Sequence, residues 1–152
     1  MQDVDFIINI DSAPHGIKQR LLSLPNSPFI QQAQFFYYKQ GTTLVQVDIT
    51  PGWQSPYMPT AATEIRRIPH GYVPYISPTD LIVFINSCGL RAQVNKKRVD
   101  ALDAVTLLEL ETRNGPLTLN SAQRAVVEQC IADVVTHGPK NDQWWKQRLG
   151  LR

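Results

Sequence analysis

Every strand-like run in this chain of 152 residues lies before residue 51, and every long helical period lies after residue 76. Such a chain cannot alternate strands with crossover helices. It must build a small sheet first and pack helices afterwards. The expected fold is α+β: a small mixed β-sheet with a helical C-terminal half, in one domain with its sheet part at residues 1–76 and its helical part at 77–152.

Residues 4–10 set Val4, Phe6, Ile8 and Ile10 against Asp3, Asp5, Ile7 and Asn9, the alternation of a strand. A turn over 11–16 leads to Ile17, Leu21, Leu22 and Leu24 at helical spacing, stopped by Pro25-Asn26-Ser27-Pro28. Strands are expected at 34–39 and 43–50, with Gln40-Gly41 as the turn of a hairpin between them. The result is a βαββ segment. Residues 51–74 are rich in Pro, Gly, Ser and Tyr and have no period, so they read as a loop excursion of the kind that often carries function.

The helical part opens on Ser77-Pro78-Thr79-Asp80: an N-cap, a proline at the first helical position and an acid near the positive end of the dipole. Leu81 to Ile85 form its buried run, and Gly89 can end it. A second helix over Arg98–Glu111 places Leu102, Val105, Leu108 and Leu110 largely to one side, with Asp100 and Asp103 as N-terminal capping acids and Arg91 paired to one of them. Asn120-x-x-Gln123 resembles a capping box ahead of the stripe Ala122, Val126, Cys130, Ile131 and Val134. A short last helix docks Trp144, Trp145 and Leu149 on the core.

Composition narrows the partners. The net charge is +2 and the basic residues are dispersed, which excludes a nucleic-acid footprint by charge alone. No run of about 18 apolar residues suggests a membrane span, and no basic-then-apolar leader opens the chain. Cys88 and Cys130 lack metal-ligand spacing and read as buried thiols of a reducing, cytoplasmic compartment. His15, His70 and His137 sit beside Gly or Pro and read as surface residues.

The chemistry concentrates in three acids. Asp3 and Asp5 are two residues apart on one strand, so their carboxylates point to the same face. Asp48 lies inside the apolar run 43–50, where an unpartnered acid is costly; Leu44 and Gln46 share its face. Its bland explanation is a salt bridge to an arginine such as Arg66. Three carboxylates on one sheet face otherwise need a counter-charge, which one or two Mg²⁺ ions would supply.

This pattern resembles the nucleotidyltransferase fold. There an acid–apolar–acid strand, here Asp3-Val4-Asp5-Phe6-Ile7, precedes a helix and a strand bearing a third acid, here Asp48. The helix from Ser77, then Arg91, then Lys96-Lys97-Arg98-Val99-Asp100-Ala101-Leu102-Asp103 is similar to the trailing pattern of the minimal and AbiEii-like branches and of small fungal proteins of this kind. The resemblance implies that Asp3 and Asp5 ligate Mg²⁺, that Asp48 ligates the catalytic ion and orients or deprotonates a hydroxyl, and that Arg91 and Lys97 contact phosphate. The implied reaction moves a nucleoside monophosphate from an NTP to a hydroxyl acceptor.

Two departures accompany it. The family's Gly-Gly or Gly-Ser turn lies upstream of the first acid, where this chain begins, and residues 79–88 lack the lysine common in members. The alternative expectation is a catalytically inactive relative that acts as a binding or assembly module. A sheet without a preceding strand would expose an edge, so self-association through the N-terminal strand is expected as well.

Overall fold

The computed structural model describes residues 3–59 and 62–151. The fold is α+β, as expected. Its two compact units part between Ser55 and Pro56, so the proline-rich excursion after Ser55 groups with the helices.

The first unit is a four-stranded sheet with one helix. Its elements are β1 (Asp3–Ile8), α1 (His15–Leu22), β2 (Phe29–Gln32), β3 (Phe35–Gln40) and β4 (Thr43–Pro51). The order across the sheet is β1-β4-β3-β2, with β1 parallel to β4 and the remaining pairs antiparallel. The β3–β4 hairpin forms where Gly41 supplies a φ of +59°. Strand β2 was not expected. It pairs with β3 through a two-residue turn in which Ala33 takes φ +52°, a turn without the usual glycine signal. The first strand also stops at Ile8, two residues short of the expected end.

One sheet face is packed. Phe36, Val47 and Ile49 are buried there against Ile17, Leu21 and Leu22 of α1, with Ile8 and Phe29 at the margin. Phe29 stacks on Phe36, ring centroids 5.3 Å apart. Ser27 joins the end of the helix to the next strand: its hydroxyl donates to the Leu21 carbonyl at 2.6 Å and accepts the Phe29 N–H at 3.1 Å.

The second unit contains α2 (Pro78–Asn86), α3 (Val94–Glu111), α4 (Ser121–His137) and α5 (Asp142–Arg148), with a 3-10 helix over Ser87–Leu90 in place of a simple glycine stop. Ile82, Val83, Ala101, Ala104, Leu108, Val127, Val134, Trp145 and Leu149 make its core. The Asn120–Gln123 capping box forms with both reciprocal bonds at 2.9 Å. Trp145 is fully buried, so the last helix docks as expected.

Helix α3 corrects three expectations. It starts at Val94 rather than Arg98, so Asp100 and Asp103 fall beyond the first turn and cap nothing. Arg91 does pair with Asp100, at 2.7 Å. Leu102 and Leu110 are about half exposed, so they do not share the buried side of Val105 and Leu108. The stripe of α4 shifts similarly: Val127 is buried and Ala122 exposed. Among the described residues no helix is long and apolar enough to cross a membrane.

Candidate functional site

The parallel pairing of β1 with β4 brings the predicted acids onto one surface. Asp5 stands beside Asp48, and Asp3 beside Gln46. The apolar faces enforce this phase, because a slip of one residue would turn Val47 and Ile49 out of the core and the acids into it. Across the sheet, Tyr37 of β3 lies opposite Gln46, so the acidic face continues into an aromatic one.

Two carboxylates in register on neighbouring strands repel each other at a spacing of about 5 Å. Part of that charge has a neighbour to hold it. The Gln46 amide donates to both oxygens of Asp48, at 3.2 and 3.1 Å. Gln46 is itself buried, and its Oε1 has no hydrogen-bond partner. Arg66, the arginine named for the bland explanation of Asp48, belongs to the second unit and pairs there with Glu64 at 2.6 Å.

The donor chemistry, carboxylate oxygens on adjacent strands, is of the kind that fits a hard divalent cation. As the side chains stand, no three acidic, histidine or cysteine groups among the described residues are gathered closely enough to hold a metal ion.

The predicted phosphate contacts belong to the second unit. Arg91 donates through Nε to Asp100, and Lys97 sits in the first turns of α3 with its backbone N–H bonded to the Gln93 carbonyl at 3.1 Å. His15 and His70 are exposed and His137 is half-buried.

The polar centre that sequence reasoning missed is Asp80. Read locally it is a dipole acid in the first turn of α2, and Ser77 does cap that helix, accepting the Asp80 N–H at 3.0 Å. Yet the carboxylate is almost fully buried and accepts hydrogen bonds from Tyr57, from Gln123 at 2.8 Å and from Ser77 at 2.8 Å. Burial pushes this carboxyl up, but the three donors together hold it below its ordinary value. Tyr57 is driven the other way, raised by burial and by the neighbouring carboxylate. A buried, ionised and fully bonded carboxylate holds elements together rather than reacting. Its partners come from a loop and from a helix 43 residues on, so no local pattern could reveal it.

Two clefts lie in the second unit. One, of about 460 Å³, is lined by Thr112, Arg113, Trp144 and Arg148 among others, and one of about 310 Å³ by Leu90, Val126, Cys130 and Asp133. Neither includes the acids of the sheet.

Comparison of the chain with protein families, with curated proteins and with solved structures found no match.

Proposed function

We propose that the acidic face of the β1–β4 pair holds Mg²⁺ and serves the transfer of a nucleoside monophosphate from an NTP to a hydroxyl acceptor, the hydroxyl oxygen bonding to the α-phosphorus as pyrophosphate leaves. The observation behind this reading is the register that sets Asp5 beside Asp48 with Asp3 on the same face. Asp3, Asp5 and Asp48 would hold the metal. When bound, Mg²⁺ neutralises phosphate charge and acidifies a hydroxyl held next to it.

The remaining steps fall to the chain's own groups. Asp48 orients the acceptor hydroxyl and takes its proton, and Gln46 fixes the angle of that carboxylate through its two hydrogen bonds. Arg91, which shares its guanidinium with Asp100, and Lys97 belong to the second unit, and the proposal rests on the sheet acids alone.

The same clamp favours a second reading. An Asp48 carboxylate already engaged at both oxygens suits an inactive binding or assembly module. Calorimetric titration with ATP, GTP, CTP and UTP, with and without Mg²⁺, separates the two. The enzyme reading expects metal-dependent binding that Asp48→Asn abolishes; no response to any nucleotide would sink it.

A further inference from the structure

Helix α3 is apolar on two sides. The inner side, with Ala101, Ala104, Val105 and Leu108, is buried in the helical core. The outer side carries Val99, Leu102, Thr106 and Leu110, whose spacings of three and four residues align them along one face. Val99 is 56% exposed, Leu102 53% and Leu110 48%. Apolar groups lined up in this way on an outer helix face mark a contact surface.

Charge identifies the occupant. Lys96, Lys97 and Arg98 crowd the N-terminal end of the helix, while Glu109, which holds Lys140 through Oε1 at 2.8 Å and keeps its second oxygen for another cation, and Glu111 occupy its C-terminal end. Both ends therefore carry the sign that the helix dipole disfavours. No side chain caps the N-terminus either. Among the described residues no acid forms an ion pair with Lys96, Lys97 or Arg98. A helix that runs from basic to acidic is complementary to itself when reversed.

We propose that this face joins two copies of the chain, their α3 helices packed antiparallel about a two-fold axis that meets the outer face between Leu102 and Thr106. The pairing sets Val99 against Leu110 of the second copy and Leu102 against its Thr106. On one flank it brings Arg98 to Glu109 of the second copy, twice by symmetry. Each basic end then meets an acidic end, and the two dipoles lie opposed. A parallel pairing would place like charges together. The contact is small beside the roughly 800 Å² per partner of a stable interface, so the dimer is weak and forms in the micromolar range.

Sedimentation velocity of the full chain, from low micromolar to several hundred micromolar, tests this. The expected result is a reversible monomer–dimer equilibrium. Leu102→Asp weakens it by about tenfold or more, and the thermal melt by circular dichroism stays unchanged because the side chain is exposed. Arg98→Glu and Glu109→Arg each weaken association alone, and an equimolar mixture restores it, because both contacts in the mixed dimer pair opposite charges. Asp103→Asn tightens it, since Asp103 lies beside its own counterpart near the axis. A chain that stays monomeric throughout overturns the proposal. So does association that Leu102→Asp leaves intact, through the outer edge of β1 or any other surface, or a mixture that fails to recover.

Discussion

Gln123 of α4 donates its side-chain amide to the Asp80 carboxylate of α2 at 2.8 Å, while the oxygen of the same side chain accepts the Asn120 N–H at 2.9 Å. One residue thus completes a capping box and ties the starts of two helices together. Both bonds fix the amide in one orientation, because a flip would break each of them. Asp80→Ala strands the Tyr57 hydroxyl and the Gln123 amide, and should lower stability by about 3 kcal/mol in urea denaturation. Tyr57→Phe removes one donor and should cost about 1–2 kcal/mol.

The same network sets a pH profile. Asp80 is held below its ordinary value of 3.8, so its contribution is complete above that value and is lost as pH falls through the folded-state value. Tyr57 is raised above its ordinary value of 10.0, so its contribution is complete below that value and is lost as pH rises further. Urea midpoints measured across pH should decline at both extremes. Tyr57→Phe should reduce the alkaline decline and leave most of the acid decline in place.

The two hairpin turns make opposite predictions. Ala33 holds φ +52°, a region costly for a side chain with a Cβ, in an exposed turn. Ala33→Gly should therefore raise stability by about 1 kcal/mol, the relief of backbone strain exceeding the extra chain entropy of glycine. Gly41 holds φ +59° with open space where a Cβ would stand, so Gly41→Ala should lower stability by about 1 kcal/mol through the backbone alone. Equal melting temperatures for either variant and the parent would contradict the strain argument.

How much of this was legible in the sequence depends on the range of the interaction. Asp3, Asp5 and Asp48 could be placed on one face because strand alternation has a period of two and a buried opposite face fixes the phase. The Ser77 and Asn120 caps were legible because both partners lie within one helical turn. Strand β2 was not, since four residues after Pro28 and a turn at Ala33 carry no strand signal of their own. The start of α3 was hidden by its basic first turns, which oppose the dipole rule used to find helix starts. Its apolar positions run round two sides, so periodicity could not separate Leu108, which is buried, from Leu102 and Leu110, which are not.

The two thiols should react on different schedules. Cys88 is buried and its thiol is pushed up to about 11, chiefly by burial and then by Asp133 and Asp100. Cys130 is half-buried, at the edge of the smaller cleft, with its sulfur 3.6 Å from the Ser87 hydroxyl. Iodoacetamide at mildly alkaline pH should label Cys130 in the native protein, whereas Cys88 should be labelled only as fast as the helical unit opens. Mass spectrometry of digests taken over time reads both rates. Early labelling of Cys88 would contradict its burial.

The paired carboxylates supply a test by difference. Asp5 and Asp48 stand beside each other across a parallel strand pair, so their like charges oppose one another and a bound cation would relieve them. If the face holds Mg²⁺, saturating metal stabilises the parent more than Asp5→Asn, because the variant has lost part of the binding energy that the parent gains. A tenfold loss of affinity makes that difference about 1.4 kcal/mol at saturating metal. Thermal melts of both proteins, in chelator and in millimolar Mg²⁺, give the four values needed. An equal response of parent and variant to Mg²⁺ would mean that the acids do not bind it, and the metal-dependent reading of this face would fail.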